Sequence, residues 1–482
     1  MKRVMLMLMM AGGLAPVWGQ AGAAEGASDG GAAAATADSA QAGSQEDRIR
    51  ELERRVAELE AALRKALDME STTELKRRLE LVTAELEKMR LGAAAGPRVL
   101  TPRYGFGPAA SKVYGVENGV SIGGYGESLF TDFSATRDDG TRTGEDSTAD
   151  LLRAVLYFGY KFNDWILFNS ELEFEHASTG EGAEEKGEVS VEFANIDFLL
   201  SHPANVRAGL MLMPVGFINE MHEPPTFLGA RRPDVETVVL PATWREMGLG
   251  VFGDAGAFSY RVYLVNGLDA EGFGAEEGLR EGRQGGSQAS ARDLAFVARA
   301  DFHGVAGLTA GASYYTGDSG QGAETAAGRV IDGKVRLYDA HAEYVFKGLQ
   351  VRGLWTVVRV DDAGSISRDI LGLDPNDPSM AVEAVGSRMT GWYGQAGYDV
   401  LSWMGERTRQ AVIPFVRYER FDTQDRVPAG FITDGANDVR VITYGAAYKP
   451  IEQLTIKIDY QNYDRGDGGG TDRINAALGY LF

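Results

Sequence analysis

Long segments of alternating apolar and polar residues are the feature that most constrains the fold of this sequence. In residues 149–162, Leu156 falls on one face and Arg153 on the other. Successive side chains of a β-strand point to opposite sides of the sheet, so a period of two predicts a strand with one apolar and one charged face. The same alternation recurs along most of the chain after about residue 119.

A soluble β-sandwich has the same period, but three observations favour a membrane β-barrel. First, the alternating segments exceed the usual strand length of about 5–6 residues and reach the roughly 9–11 residues that a tilted membrane strand needs. Second, short and long connections alternate, as do the short periplasmic turns and long outer loops of outer-membrane barrels. Third, the chain ends on apolar residues at every second position from Ile474 to Phe482.

These segments predict an all-β fold, a 16-stranded antiparallel transmembrane β-barrel over residues 119–482, with 14 and 18 as alternative counts. An even number places both barrel ends on one side of the membrane. Closure pairs every backbone group, and a barrel of this size, unlike one of about eight strands, leaves an aqueous channel. The predicted strands are 119–133, 149–162, 165–177, 188–201, 205–214, 245–253, 258–267, 291–302, 308–316, 334–347, 349–360, 389–401, 409–422, 437–449, 453–464 and 471–482.

Composition excludes several classes of function. The 48 Lys and Arg against 69 Asp and Glu give a net charge of −21, which disfavours a broad nucleic-acid surface. The absence of Cys excludes disulfides, thiolate metal sites and a cysteine nucleophile. The mean hydropathy is −0.20, and no stretch of about 18 apolar residues occurs beyond the N-terminus, which excludes a polytopic helical membrane protein.

The N-terminus has the pattern of a secretory signal peptide. Lys2 and Arg3 precede a short apolar run, and small residues follow it. This pattern predicts a signal peptide over 1–24, and without Cys it predicts no lipid anchor. Residues 25–45 are rich in Ala, Gly and Ser, a composition that predicts a flexible tether.

Residues 46–91 predict a helical segment. Apolar residues from Ile49 to Leu63 follow the 3-4 spacing of a coiled coil, and a second seam from Leu75 to Met89 is out of register with it. The segment is therefore a coiled coil with a discontinuity, two short helices, or a single charged helix on another surface. Gly and Pro residues in 92–118 predict a linker.

The residues provide no clear catalytic, metal or cofactor site. The run Gly248–Gly253 has the spacing of a dinucleotide fingerprint, but no helix follows it. The five His residues show no metal-ligand spacing. His341 lies between Asp339 and Glu343 on one face, without an identifiable Ser partner for hydrolysis. The prediction is a protein without catalytic residues, metal or cofactor.

Alternation places charges of both signs on the inward face. Selectivity in such a lumen depends on which charges lie at its narrowest point. The alternative is that each charge only hydrates and cross-links the wall. The predicted inward cations are Arg153, Lys161, Arg207, Arg261, Arg299, Lys457 and Arg473. The predicted inward acids are Glu171, Glu173, Glu175, Asp197, Asp293, Asp301, Asp339, Glu343, Asp399 and Asp459.

Four short motifs within 119–482 resemble the phosphate-selective porin family, the O and P porins. They are Gly124-Tyr125-Gly126, the Leu-Pro-Ala-Thr-Trp-Arg-Glu run at 240–246, the Tyr-Leu-Val-Asn-Gly-Leu run at 263–268, and the terminal Tyr480-Leu481-Phe482. The resemblance implies a 16-stranded homotrimeric barrel that passes small anions, in some members phosphate or polyphosphate.

The resemblance to porins also implies that the connection 217–243 folds into the lumen and narrows it. Arg231 and Arg232 are expected to line this constriction, because a guanidinium offers a planar fork of donors to phosphate or carboxylate. The alternative is two exposed arginines paired with Asp234 and Glu236. The predicted pore residues are Arg231, Arg232, Arg245, Arg207, Arg153, Arg261, Arg299 and Lys457.

The expected function is passive diffusion of small polar solutes, with a preference for anions or phosphate, across the outer membrane of a Gram-negative cell. Glu171, Glu173 and Glu175 depart from an all-basic lumen and weigh against phosphate more than against a pore. Expected partners are outer-membrane lipid, lipopolysaccharide and copies of the chain in a homotrimer, with no nucleic acid. The alternatives are a structural tether, whose coiled coil contacts the cell wall from the periplasm, and an outer-membrane enzyme such as a lipase.

Overall fold

A computed structural model describes residues 51, 53–59, 61, 81–83, 101–178, 187–407 and 409–482. The described residues before 101 are helical. The predicted signal peptide, the tether, most of the coiled coil and the first part of the linker lie outside the described residues. Where the chain is described, no helix is both long enough and apolar enough to cross a membrane.

Sixteen strands form one closed antiparallel barrel, in which each strand pairs with its sequence neighbours and β1 pairs with β16. The predicted fold class and strand count are therefore confirmed. The strands are β1 Gly119–Phe133, β2 Thr148–Lys161, β3 Ile166–Glu175, β4 Val189–Ser201, β5 Ala204–Leu212, β6 Arg245–Ala255, β7 Phe258–Asn266, β8 Leu294–Phe302, β9 Leu308–Gly317, β10 Val335–Phe346, β11 Leu349–Val360, β12 Arg388–Tyr398, β13 Ala411–Arg426, β14 Asp438–Ile451, β15 Leu454–Arg465 and β16 Arg473–Leu481.

The two faces of the strands divide as the alternation predicts. On β2, Leu156 and Phe158 are 45% and 43% exposed, whereas Arg153 and Tyr157 between and beside them are buried. β15 repeats this arrangement, with outward Ile458 and inward residues that are buried. The outer surface of the barrel is thus apolar, and the buried charges lie inside.

Two glycines of β1 lie at the seam, the pairing between β1 and β16 that closes the barrel. Gly126 pairs with Tyr480, and Gly124 exchanges backbone hydrogen bonds with Phe482. A Cβ on Gly126 would lie 2.4 Å from the Tyr480 hydroxyl, and a Cβ on Gly124 would lie 2.8 Å from the Phe482 ring. The two outward aromatic rings therefore cover backbone that carries no side chain.

Short turns join the strands at one end of the barrel, and longer connections join them at the other. The exception is the connection between β12 and β13, which lies at the short-turn end and carries Trp403, a residue that is 82% exposed. The short helices are 3₁₀ helices at Ala110–Gly115, Pro224–Thr226, Asp234–Glu236, Ala270–Gly272, Arg280–Gly282, Ser402–Arg407 and Gly435–Asn437, α-helical turns at Ala363–Ser365 and Pro378–Ala381, and a π-helical turn at Ile366–Ile370.

The interior is filled from both ends. Apolar residues of several long connections pack into one cluster with inward residues of β5 and β7–β14, including Val239, Phe273, Ile331 and Ile366. At the short-turn end, apolar residues of the segment 104–114 form a second cluster with β1–β5 and Leu481 of β16. These residues belong to the segment predicted as a linker, yet they are packed inside the barrel.

Candidate functional site

The connection 213–244 between β5 and β6, here called the inner loop, crosses the lumen. Its Gly216 N–H donates to Asp339 on β10 at 3.1 Å, and its Ala230 N–H donates to Asp459 on β15 at 2.6 Å. His222 lies 3.1 Å from Glu171 on β3. A single segment that contacts walls on several sides of a barrel determines the width of the passage. The inner loop is therefore where a constriction forms.

A buried carboxylate fixes the start of the inner loop. Glu236 accepts the N–H of Ile218 at 2.8 Å and the hydroxyl of Tyr393 on β12 at 2.6 Å. Hydrogen bonds of this kind offset the cost of placing a charged group away from water. Glu236 thus joins two parts of the loop to the wall.

Arg231 and Arg232 lie in the inner loop and are half-buried. Arg231 donates to Asn475 at 3.1 Å and to Thr131 at 2.9 Å, and both acceptors are on strands next to the seam. Arg232 reaches the carbonyl of His222 at 3.5 Å. The alternative pairing is not observed, since Asp234 pairs with Arg473 and Glu236 with Tyr393.

Four cations of the wall on β11, β13, β14 and β15, here called the basic patch, line one side of the inner loop. Lys449 donates to the carbonyl of Pro225 at 2.7 Å, and Lys457 donates to the carbonyl of Gly229 at 2.8 Å. Lysines usually find carboxylates when buried, but these two are held by neutral acceptors. The basic patch consists of Arg352, Arg417, Lys449 and Lys457.

The two arginines of the basic patch differ in their partners. Arg352 pairs with Glu343 at 2.6 Å and also donates to the carbonyl of Thr226 at 3.2 Å. Arg417 is fully buried and pairs with Glu419 through Nε, while its two terminal nitrogens have no hydrogen-bond partner in the described part of the chain. Buried guanidinium nitrogens without acceptors attract an anion or water.

A second group of charges lies beside a cavity of about 620 Å³ at the short-turn end. Asp301 on β8 accepts from Arg261 and Arg299, and Glu220 of the inner loop lies 3.3 and 3.4 Å from the same two arginines. All four side chains line the cavity. Two cations face two acids here, so the local charge is balanced.

The other predicted pore residues are each neutralised by acids. Arg153 lies 3.1 Å from Glu173 and 3.5 Å from Glu127. Arg245 pairs with Glu192 at 2.6 Å. Arg207 makes two hydrogen bonds to the buried Asp197, at 2.8 and 2.9 Å. Of the predicted pore residues, Lys457 is thus the one in the basic patch, and Arg261 and Arg299 border the cavity.

Sequence reasoning missed Arg352, Arg417 and Lys449. Strict alternation along their strands could have found them, because Arg417 shares a face with buried Phe415 and Glu419. The inward faces of β11 and β13 also carry apolar residues that pack against the loops, and this obscures the charge pattern. These cations could have been identified by counting every second residue along each strand, but not by looking for an uninterrupted polar face.

The geometry around the His residues does not assemble a hydrolase site. His341 places one ring nitrogen 2.6 Å from Asp339 and the other 2.8 Å from Asp301, and Ser313 donates to Asp339 rather than to the imidazole. At the short-turn end, Ser259 lies 3.1 Å from His303, whose second nitrogen faces Thr309 instead of a carboxylate. A triad needs an acid to orient the base.

Metal and nucleotide motifs are likewise not formed where the chain is described. No group of three or more His, Asp or Glu residues has the geometry to hold a metal ion within the described ranges. The run Gly248–Gly253 lies in the middle of β6 and is followed by the next strand instead of a helix. A phosphate-binding turn needs a helix N-terminus at that position.

No known protein-family model matches the chain. Among solved structures, it is similar to OmpF of Salmonella typhi in complex with daunomycin (13% identity, 76% of this chain, 98% of that chain, TM-score 0.49). It is also similar to an anion-selective porin from Comamonas acidovorans (11%, 76%, 100%, TM-score 0.45) and to the outer membrane channel DcaP of Acinetobacter baumannii (13%, 75%, 97%, TM-score 0.45). The strand pairing of the chain itself defines its barrel. Membership of the phosphate-selective porin family stays a prediction.

One curated relative is far closer in sequence. An uncharacterized protein of Aquifex aeolicus (strain VF5) is 38% identical over 388 residues, which cover 80% of this chain and 85% of the relative. The chain therefore belongs to the same protein family as this Aquifex aeolicus protein.

Proposed function

We propose that the protein is a passive diffusion channel of the outer membrane of a Gram-negative cell. The observation that carries the proposal is the closed 16-stranded barrel, whose outward side chains are apolar and whose inward side chains are charged. Such a barrel satisfies every backbone group inside a bilayer, and its apolar outer band matches the acyl chains. The short turns then face the periplasm, and the long connections face outward.

The size of the barrel supports transport rather than anchoring alone. A barrel of about eight strands is filled by side chains, whereas one of about sixteen encloses a lumen. Here the inner loop and the packed segment that precedes β1 narrow that lumen, but a cavity of about 620 Å³ remains at the short-turn end. Solutes that pass this region meet charged walls, so polar solutes are the expected cargo.

A preference for anions is supported by the basic patch. Most cations of the lumen face a carboxylate at hydrogen-bond distance, which cancels their field. Lys449 and Lys457 face backbone carbonyls, so their charge is not cancelled by a carboxylate hydrogen-bond partner. An anion at this wall gains more than a cation does.

Phosphate is the finer form of the same proposal. Arg231 and Arg232 in the inner loop, with the partly unpaired Arg417 on the wall, offer guanidinium forks that match phosphate oxygens. The acids Glu171 and Glu173 lie near His222 and Arg232 and oppose this preference there. We therefore expect phosphate recognition to be stronger at the basic patch than at Arg232.

Liposome swelling tests the channel directly. Full-length protein reconstituted into vesicles should admit a small neutral sugar, and in planar bilayers its zero-current potential under a salt gradient should have the sign of preferential anion passage. Vesicles that contain heat-denatured protein are the control for swelling. Absence of swelling would refute the channel, and a zero-current potential of zero would refute the anion preference. Cross-linking of the folded protein in detergent tests the proposed homotrimer.

A further inference from the structure

Residues 103–116, here called the plug, lie inside the barrel at the short-turn end although they precede the first strand. The plug contains the 3₁₀ helix Ala110–Gly115. Phe106, Ala109 and Val113 are between 1% and 2% exposed. They pack with inward residues of β1–β5. A segment that buries this much apolar surface is docked against the wall and not free in solution.

A buried three-residue network fixes the helical end of the plug. The Tyr114 hydroxyl donates to Asp197 on β4 at 2.6 Å and accepts from Arg207 on β5 at 3.0 Å. The guanidinium of Arg207 also lies over the rings of Phe106 and Phe252, at 4.2 and 4.7 Å. Arg207 thus joins two residues of the plug to the wall through one side chain.

A second contact joins the plug to the inner loop. The carboxylate of Glu223 accepts the backbone N–H groups of Ala109 and Ala110 at 2.9 and 3.1 Å. A Cβ added at Gly107 would lie 2.6 Å from a Glu223 oxygen. The plug and the constriction-forming loop therefore meet at one carboxylate, with no spare space between them.

The barrel does not need the plug for its own strand pairing. The barrel closes where β1 pairs with β16, from Tyr125 opposite Leu481 to Phe133 opposite Arg473. The hydrogen bonds between plug and wall run through side chains, such as the one from Asn169 to the Ala110 carbonyl at 3.0 Å. The plug also supplies one wall of the remaining cavity through Arg103, Tyr104 and Phe106. It is bound as a separate peptide is bound in a groove.

We propose that the lumen wall around Asp197, Arg207 and Glu223 is a docking site for the chain's own segment 103–116, and that release of this segment opens the periplasmic mouth of the channel. This inference rests on the proposed channel function. Departure of the plug joins its volume to the cavity and frees Arg207 and Asp197 to face water.

A reversible cross-link tests the proposal in the full-length protein. The chain has no Cys, so Val113→Cys with Gly159→Cys forms the only possible intramolecular disulfide. A Cβ at position 159 lies 2.8 Å from that of Val113, and a small shift brings the pair to disulfide spacing. The two single-Cys variants are the controls. Conductance in planar bilayers is measured in oxidant and then after addition of reductant.

We expect the oxidised double variant to pass little current and reduction to raise open probability roughly fivefold or more. Tyr114→Phe, which keeps the ring but removes the hydroxyl, should raise it by a similar factor without any cross-link. Unchanged current on reduction of a fully cross-linked sample overturns the proposal but leaves the channel intact. An open probability in Tyr114→Phe equal to that of the native protein also overturns it. Absence of current from every variant and from the native chain refutes the channel itself.

Discussion

The Nζ atom of Lys457 donates a hydrogen bond to the carbonyl oxygen of Gly229 at 2.8 Å and lies 3.6 Å from the centre of the Phe227 ring. A buried lysine is thus held by a neutral loop segment and an aromatic face. The cations Lys449 and Arg417 lie nearby, as do the acids Glu127 and Asp459. This contact places a lysine whose hydrogen-bond acceptor is neutral where the inner loop meets the wall.

Replacing that charge should weaken the preference for anions. Lys457→Met keeps an unbranched side chain and removes the charge. The ratio of anion to cation permeability should therefore fall roughly threefold, as expected for one partly screened charge. Zero-current potentials under a salt gradient measure the ratio. Lys347→Met, in an exposed turn outside the lumen, is the matched control and should leave the ratio unchanged. Equal ratios in both variants would argue against the basic patch.

The two arginines of the inner loop should contribute through their shape as well as their charge. In Arg231→Ala/Arg232→Ala, anion preference should fall, and block of chloride current by added phosphate should weaken. Arg231→Lys/Arg232→Lys keeps both charges but loses the fork, so it should restore the chloride preference without restoring phosphate block. If both variants behave like the native channel, these two residues do not line the conducting path.

Asp301 should oppose anions at the cavity. It accepts from Arg261 and Arg299, and its removal leaves Glu220 as the carboxylate that lies within 4.0 Å of both cations. Asp301→Asn is therefore expected to increase anion permeability by roughly two- to threefold. Asp132→Asn, on the outward face of β1, serves as the control for a simple change of net charge. A decrease in anion permeability would contradict the proposed path past this cavity.

Plug docking should depend on pH through Glu223. Burial raises the pKa of the Glu223 carboxyl to about 7, helped by the charge of Glu171, although the N–H groups of Ala109 and Ala110 and a hydrogen bond from Tyr157 favour its ionised form. Because the effect of burial exceeds that of these hydrogen bonds, we expect the carboxyl to take up a proton when the plug covers it. Docking is therefore strongest at low pH and weakens as the pH rises through about 7.

Open probability should accordingly be lower at pH 5 than at pH 8. Glu223→Gln cannot ionise and should remove most of this difference. Single-channel recording of both proteins at the two pH values provides the comparison. A pH response of the same size in the variant would assign the effect to other groups.

The glycine seam between β1 and β16 should tolerate little added volume. Gly124→Val places a branched side chain against the Val155 carbonyl and the Phe482 ring, and overpacking of this kind costs about 1–3 kcal/mol. Gly394→Val, on the outward face of β12 with open space around its Cα, is the matched control. Thermal unfolding followed by gel mobility should show a lower midpoint for Gly124→Val alone. Equal midpoints would show that the seam adapts without cost.

The barrel could be predicted from the sequence because each strand records its own environment. Alternate residues of a strand face water and lipid, so a period of two is visible in the sequence of each strand. For β1 and β11 the predicted first and last residues are those of the structure. The inner loop was assigned to the lumen by resemblance, and Arg231 and Arg232 do lie in it. The hydrogen-bond partners of Arg231 could not be predicted, because Thr131 and Asn475 are distant in the sequence and meet the loop only in the closed barrel.

The plug was not predicted for the same reason. Residues 101–118 contain Gly and Pro and no regular period, so they resemble a linker. Their docking depends on Tyr114 meeting Asp197 and Arg207, which are brought together by strands β4 and β5. Long-range contacts of this kind leave no periodic signal in a single sequence.

Planar-bilayer recording of the purified full-length protein is the decisive test of the diffusion channel. We expect discrete, stable conductance steps and a zero-current potential under a tenfold salt gradient whose sign reports preferential passage of the anion. A folded barrel that inserts into the bilayer and passes no current at any pH or voltage, with the plug cross-linked or free, would contradict it.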